Sequence, residues 1–280
     1  GGSTRAGSAF VYSGADGSLI YQKNGAADQD RFGTSVSCAG DVNNDGRDDF
    51  IVGAFYTNPG GRSRAGSAYV YSGTDGSLIF QKNGVDIDDR LGFSVSRAGD
   101  LDSDGYGEFI AGAYQTNPDG IYDAGSAYVF DGGDGSIMYR KDGEVLNDTN
   151  GRSVSYAGDV NNDGTPDFVS GANFADTDTL ADTGAFYVYS GSDGSVIYSF
   201  KGAGADDRLG TAVAGGGDID NDGYFDIIAG AFRADPGGSA DAGSVYIITA
   251  DNSAPTITDN QTGDDTNRSS RRCSVAMSAS

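Results

Sequence analysis

The chain has 280 residues, of which 46 are glycine, 37% are hydrophobic and none is histidine, and 41 acidic against 18 basic residues give a formal charge of −23. So much glycine calls for many turns and positive-φ positions, while the apolar fraction is sufficient for a packed core; together these exclude a disordered chain and favour many short strands over helices. The charge excludes nucleic acid and anionic membranes as partners of the whole surface and favours cations, and the missing histidine removes the commonest general base and the commonest zinc or copper ligand.

In chain order, Gly1 opens the sequence without Met or a signal-like segment, and no apolar run approaches the roughly 20 residues that cross a bilayer. A soluble chain without membrane insertion, either mature or a fragment, is expected. The first strand-like run, AGSAFVYSG from Ala6, returns as AGSAYVYSG from Ala65, AGSAYVFDG from Ala124, TGAFYVYSG from Thr183 and AGSVYIITA from Ala242, each step being 59 residues. A second marker, GDVNNDGRDDF at Gly40, returns at Gly99, Gly158 and Gly217 with the same period. Two markers in register define a repeat array.

Within a unit, short apolar or alternating runs between Gly, Asn and Asp clusters read as four strands. In the second copy they run from about Gly92 to Ala98, Glu108 to Ala113, Ser126 to Phe130 and Ser136 to Lys141. Asp134-Gly135 joins the last two, with equivalents at Asp16-Gly17, Asp75-Gly76 and Asp193-Gly194. Asp-Gly between strands predicts two-residue type I′ hairpins, with these aspartates as turn formers. Four strands per 59-residue unit predict an all-β fold, a β-propeller of four-stranded antiparallel blades. Three units are complete, from about Gly33, Gly92 and Gly151. The chain begins with a third and fourth strand and ends with a first, second and third, which leaves a closed small ring and a segment of a larger array both open. Residues 1–251 hold the repeats. Residues 252–280, rich in Ser, Thr and Asp, read as a linker or tail in which Val275, Ala276 and Met277 are candidates for a short docking strand. Cys38 and Cys273 have no zinc spacing and are expected as separate thiols, with an oxidised pair or an intermolecular bridge as alternatives.

The chemistry lies in the second marker. Asp41, Asn43 and Asp45 alternate, Gly46 follows, Arg47 offers its backbone carbonyl and Asp49 closes at the ninth position. Calcium takes six to eight oxygens, and a glycine at position six permits the sharp turn that such a loop needs. The second loop offers Asp100, Asp102, Asp104, the Tyr106 carbonyl and Glu108; the third offers Asp159, Asn161, Asp163, the Thr165 carbonyl and Asp167; the fourth offers Asp218, Asp220, Asp222, the Tyr224 carbonyl and Asp226. About four structural calcium ions are therefore expected. An EF-hand shares the opening spacing, but its loop has twelve residues between helices, whereas strand-like runs flank these nine. Magnesium is disfavoured because it demands near-ideal octahedral geometry and retains waters.

These residues resemble the FG-GAP repeats of integrin α-subunit propellers. Phe32-Gly33 carries the first mark, with Leu91-Gly92, Asn150-Gly151 and Leu209-Gly210 as variants. Gly53-Ala54-Phe55, Gly112-Ala113-Tyr114, Gly171-Ala172-Asn173 and Gly230-Ala231-Phe232 carry the second, without its proline. The resemblance spans about Gly1 to Ala250 and implies calcium bracing the hairpin between the first two strands of each blade. It also implies a usually seven-bladed propeller, for which this chain holds too few repeats.

The expected function is an extracellular or cell-surface binding, adhesion or matrix-forming protein that engages protein or glycan ligands or self-associates into an oligomer or filament. The sequons at Asn147, Asn260 and Asn267 fit a glycoprotein. The alternative is a carbohydrate-binding propeller or a non-catalytic accessory domain of a polysaccharide hydrolase or lyase, with Tyr69, Tyr71, Tyr128, Tyr187 and Tyr189 as stacking faces; at strand spacing such rings more often pack between blades. No enzyme, catalytic residue or organic cofactor is expected. Asp30-Arg31, Asp89-Arg90 and Asp207-Arg208 read as surface ion pairs, absent from the third unit.

Overall fold

Each 59-residue unit contains short runs of β-branched and aromatic residues cut by glycine and Asx turns, and each run forms a strand. The structure is a computed structural model that describes residues 4–250 and the backbone of Thr256–Asp259 and Val275–Ala276. The remainder of 252–280, with Asn260, Asn267, Cys273 and Met277, lies outside the described residues.

Strands β1 (Ser8–Tyr12) and β2 (Leu19–Asn24) pair alone as a two-stranded sheet. Three antiparallel meanders follow: β3 (Ser35–Gly40), β4 (Asp49–Ala54), β5 (Ser67–Tyr71) and β6 (Leu78–Asn83); β7 (Ser94–Gly99), β8 (Glu108–Ala113), β9 (Ser126–Phe130) and β10 (Ile137–Asp142); and β11 (Ser153–Gly158), β12 (Asp167–Ala172), β13 (Ala185–Tyr189) and β14 (Val196–Lys201). The last blade is β15 (Leu209–Gly217), β16 (Asp226–Ala231), β17 (Ser244–Thr249) and β18 (Thr256–Asp259). A final strand, β19 (Val275–Ala276), pairs with Ser199 and Phe200 of β14. The molecule is an all-β propeller of four-stranded antiparallel blades. Its last blade takes its fourth strand from Thr256–Asp259, so β1 and β2 do not complete it.

The second strand of a blade is covered on both faces, and β8 and β12 are accordingly buried at every position. One inter-blade core sets Val42, Ile51 and Val70 against Val95, Phe109 and Ala111 of the next blade; another sets Leu101, Ile110 and Val129 against Val154, Phe168 and Tyr189. Tyr71 stacks on Phe50 at 5.4 Å, and Tyr189 on Phe168 at 5.2 Å. Tyr71 also packs with Ala9, and Tyr189 with Ala127, of the preceding blade, so these third-strand tyrosines belong to blade junctions.

The two glycine marks form one seam. The Gly92 N–H donates to the Gly112 carbonyl at 3.0 Å within a blade. Between blades, a Cβ on Gly53 would stand 1.9 Å from the Gly92 carbonyl oxygen, one on Gly112 1.9 Å from that of Gly151, and one on Gly171 2.0 Å from that of Gly210. Only glycine lets these backbones approach so closely. At the third blade, Asn150 replaces the aromatic or leucine of the mark and is fully buried. It stays satisfied because its side chain donates to the Lys141 carbonyl at 2.9 Å and accepts from the Ser170 hydroxyl at 2.7 Å.

The Asp-Gly hairpins differ from expectation. Asp131 N–H donates to the Ser136 carbonyl and Gly135 N–H to the Asp131 carbonyl, both at 2.9 Å, which closes a four-residue loop in place of a two-residue type I′ turn. Gly135 has φ 73°, but Asp134 is not among the positive-φ residues. Its carboxylate instead accepts the Ser136 N–H at 2.6 Å, a side-chain turn that needs only one left-handed residue. Hydrogen bonds from Ser136 hold the Asp134 carboxyl below the usual range, and Ser18, Ser77 and Ser195 do the same for Asp16, Asp75 and Asp193.

The seam can be tested with an internal control. Gly112→Ala should destabilise by about 1–3 kcal/mol because its Cβ meets backbone. Gly230→Ala, whose nearest neighbour stands 3.8 Å away, should be close to neutral. Urea midpoints of the two variants measure the difference.

Candidate metal centres

The four loops join the first and second strands of their blades: Asp41 to Asp49 between β3 and β4, Asp100 to Glu108 between β7 and β8, Asp159 to Asp167 between β11 and β12, and Asp218 to Asp226 between β15 and β16. Each curls through two left-handed positions. The fourth residue has φ 54° at Asn44, 61° at Ser103, 57° at Asn162 and 62° at Asn221, and the sixth has φ 85° at Gly46, 92° at Gly105, 90° at Gly164 and 97° at Gly223. The pairing of left-handed residues with an Asx-rich sequence turns the side-chain oxygens back onto the loop's own N–H groups.

Hydrogen bonds orient the side chains. The Asp41 carboxylate accepts the N–H groups of Asp45 at 2.9 Å and Gly46 at 2.7 Å. Asp159 accepts those of Asp163 at 3.0 Å and Gly164 at 2.9 Å, and Asp218 accepts those of Asp222 and Gly223, both at 3.0 Å. Asp100 does the same with Asp104 and Gly105 at 3.2 Å. The third-position oxygens of Asn43, Asp102 and Asn161 accept the fifth-position N–H. The fifth-position carboxylates of Asp45, Asp104, Asp163 and Asp222 accept the N–H groups of Arg47, Tyr106, Thr165 and Tyr224.

The ninth carboxylate has a second duty that the loop motif did not reveal. Asp49, Glu108, Asp167 and Asp226 are buried. One oxygen accepts the N–H of the second loop residue, as Asp49 does from Val42 at 2.9 Å, Asp167 from Val160 at 2.7 Å and Asp226 from Ile219 at 2.6 Å, with Leu101 donating to Glu108. The other oxygen accepts an N–H from just beyond the third strand: Gly73 at 2.9 Å, Gly132 at 3.3 Å, Gly191 at 3.0 Å and Ala250 at 3.1 Å. The constant 24-residue offset to a glycine in three copies was the available signal.

Carboxylates converge most closely in the second and fourth loops. Oxygens of Asp100, Asp102 and Glu108 lie within 4.8 Å of one another, as do those of Asp218, Asp220 and Asp226. Asp102 and Asp104 also gather Asp131, which the sequence reading missed and which the change from YSG to FDG at the end of the third strand marks. The first and third loops carry Asn43 and Asn161 at the third position, and Asn161 donates to Asp163 at 3.0 Å.

Burial, reinforced by Asp102 and Asp100, pushes the Glu108 carboxyl up to about 7 against the pull of its two N–H donors. Burial likewise pushes Asp167 up to about 7, with Asp163 adding to it. Burial raises Asp49, and Asp102 and Asp220 are raised by burial and by their neighbours Asp104 and Asp222. Oxygen-only donors, flexible spacing and uncompensated like charge fit a hard divalent cation, which would turn each repulsion into attraction.

Elsewhere, the aspartates of the expected Asp-Arg pairs are not ion-paired to their neighbours. Asp30, Asp89 and Asp207 are buried loop staples that accept N–H groups of Ala27 at 2.8 Å, Val85 at 2.8 Å and Gly204 at 2.7 Å. Asp148 does the same with Val145 at 2.9 Å in the third unit, which lacks only the arginine. Arg208 pairs instead with Asp182 at 3.0 Å and Asp206 at 3.2 Å. Cys38 is a free, exposed thiol.

A family model described as FG-GAP repeat matches residues 32–71 and 209–248, which hold the first and fourth loops. The chain carries FG-GAP repeats. Integrin alpha-5 of Xenopus laevis is 30% identical over 223 residues, covering 74% of this chain and 20% of that protein. Integrin alpha-4 of Xenopus laevis is 31% identical over 209 residues, covering 71% and 19%, and human Integrin alpha-IIb is 34% identical over 99 residues, covering 34% and 9%. The FG-GAP chain thus spans a fifth or less of the length of these integrin α relatives. Among solved structures, Saccharomyces cerevisiae Sqt1 aligns with a TM-score of 0.57 at 14% identity, over 90% of this chain and 56% of that one, a likeness of fold alone.

The raised carboxyls define a pH test on protein stripped of metal. A carboxyl whose folded pKa lies near 7, above the unfolded value near 4, binds more protons folded than unfolded in that window, so stability falls as pH rises through it. The melting temperature of the stripped protein should drop from pH 5 to pH 8. A Glu108→Gln, Asp167→Asn double variant should flatten that slope, as read by circular dichroism melts.

Proposed function

We propose that the chain is a calcium-braced portion of an extracellular, adhesion-type propeller that binds a protein ligand through its blade surfaces and performs no catalysis. The observation that carries the calcium reading is the convergence of Asp100, Asp102 and Glu108, and again of Asp218, Asp220 and Asp226, on one point each. Around each point we assign as ligands the side chains of positions one, three, five and nine and the backbone carbonyl of position seven. These are Asp41, Asn43, Asp45, Arg47 and Asp49; Asp100, Asp102, Asp104, Tyr106 and Glu108; Asp159, Asn161, Asp163, Thr165 and Asp167; and Asp218, Asp220, Asp222, Tyr224 and Asp226. Five such donors with one or two waters meet the coordination number of calcium, and the crowded cage is poor for magnesium. With the carboxylates spent on coordination, the ions brace the fold rather than activate a substrate.

The extracellular and adhesive parts rest on the integrin α relatives and on a calcium supply that suits such sites. Among the described residues no helix is long and apolar enough to cross a membrane. The protein-ligand reading is preferred to the glycan alternative because Tyr71 and Tyr189 are stacked on Phe50 and Phe168, and the Tyr69 ring packs against Phe32 at 5.5 Å.

Calcium that binds only the folded state adds about 2.7 kcal/mol per site at a hundred times its dissociation constant. Calorimetric melts should therefore rise by many degrees on adding calcium to stripped protein, and an unchanged melt would sink the reading. By isothermal titration, Asp100→Asn with Glu108→Gln should lower the calcium stoichiometry from about four to about three.

A further inference from the structure

Two departures from the repeat meet at the junction of the second and third complete blades, on the rim opposite the four loops. At the head of the first strand Thr34, Phe93 and Thr211 give way to Arg152 in the third copy; just beyond the second strand Phe55, Asn173 and Phe232 give way to Tyr114 in the second. Arg152 leans back across the junction, its guanidinium 4.1 Å from the Phe93 ring and 4.9 Å from the Tyr114 ring. Arg90, from the loop ahead of β7, lies 5.5 Å from the same Tyr114 ring and donates to its hydroxyl. Two guanidinium groups and a phenol thus share one aromatic floor.

No acid of the chain completes the group. Among the described residues no carboxylate lies within ion-pair distance of Arg152, and the one within reach of Arg90, Asp88 at 3.9 Å, is held by Arg64 at 2.6 Å. Asp89 and Asp148, in the adjoining loops, are turned inward onto the N–H groups of Val85 and Val145. The Arg90 Nε is buried without an acceptor. The Tyr114 oxygen already accepts from Arg90, so its proton is left to donate, and no acceptor for it stands among the described residues. Elsewhere on this rim the polar groups are matched. Arg208 has Asp182 at 3.0 Å and Asp206 at 3.2 Å, Arg233 has Asp241 at 2.9 Å, and the Thr149 hydroxyl donates to Asn173 at 3.0 Å. Burial pulls the Arg152 guanidinium below its usual range, and the charge of Arg90 adds to that pull against the opposing effect of Tyr114.

We infer that Arg90, Arg152 and the Tyr114 hydroxyl form a receptor for a single carboxylate, the Asp or Glu side chain of a protein ligand. A planar guanidinium matches a carboxylate with paired N–H donors, and the rings beneath exclude water and strengthen the contact. Both arginines and Tyr114 are half-buried rather than sealed, which leaves access from the rim. A surface with a net charge of −23 repels extended polyanions, so one carboxylate among apolar side chains fits better than a sulfated glycan. The inference deepens the protein-ligand reading above and rests on it.

The test is an NMR titration of isotope-labelled protein in saturating calcium with two capped tripeptides, one with glutamate and one with glutamine between two leucines. The glutamate peptide should bind about tenfold more tightly and shift the side-chain N–H signals of Arg90 and Arg152. Arg152→Gln should weaken it by about tenfold and Tyr114→Phe by about threefold, with Arg152→Lys between them. Melts and backbone spectra check the fold, and Tyr114→Phe, which removes one hydroxyl, decides the matter if Arg152→Gln does not fold. Equal affinity for the two peptides overturns the carboxylate receptor and leaves the protein-ligand reading standing; binding of neither at millimolar concentration counts against both. Unchanged binding in Arg152→Gln and Tyr114→Phe also overturns it, as does tighter binding of a sulfated disaccharide than of the glutamate peptide.

Discussion

The buried ninth carboxylate of each loop is the group on which a blade depends. It sits where the loop between the first two strands meets the chain leaving the third, and its two oxygens take one N–H from each. A carboxylate buried with two N–H donors is only partly compensated, which is why Glu108 and Asp167 hold their protons up to about 7. The loop around it adds two or three more carboxylates within reach, so the arrangement is costly without a counter-charge and favourable with one. Local sequence, strand connectivity and electrostatics therefore converge on the same four positions.

A blade braced in this way still has two apolar faces and cannot stand alone. The inter-blade cores and the glycine seam supply what the loops do not. Because a Cβ at Gly53, Gly112 or Gly171 would collide with the next backbone, blade spacing is fixed by main chain rather than by side-chain volume. Side chains can then vary: Phe32, Leu91, Asn150 and Leu209 occupy one position, and the asparagine is accommodated because Ser170 arrived beside it.

Most of the fold was legible in the sequence because the repeat samples the same rule four times. The 59-residue period and the Gly and Asx punctuation located the second-copy strands to within about two residues of β7 to β10. The loops were legible because an Asx-rich turn of this kind sets its oxygen-bearing side chains and its left-handed residues at fixed steps. What escaped depended on distance along the chain. The partner of the ninth carboxylate lies 24 residues on, and Asp131 enters its cluster from the end of the third strand. The hairpin was misjudged because Asp-Gly suits two turn types, and the serine that follows tips the balance by donating to the aspartate. In the Asp-Arg pairs, adjacency in sequence does not bring the charges together, because each aspartate turns inward to loop N–H groups.

The two ends of a first strand carry different chemistry. At the end that leads into the Asx-rich loop, carboxylates tie strands of one blade together. At the end where that strand begins, arginines stack on aromatics: Arg31 lies 4.2 Å from the Tyr56 ring of the blade it leads into, and across blade junctions Arg152 lies 4.1 Å from Phe93 and Arg208 3.7 Å from Phe174. Arg90 spans the junction between two blades, lying over Tyr56 at 5.4 Å while donating to the Tyr114 hydroxyl. A stacked guanidinium keeps its charge and is weakly hydrated, so these contacts do not depend on a bound ion. The loop hydrogen bonds at one rim tie the strands within a blade, whereas the arginine contacts at the other rim keep neighbouring blades in register.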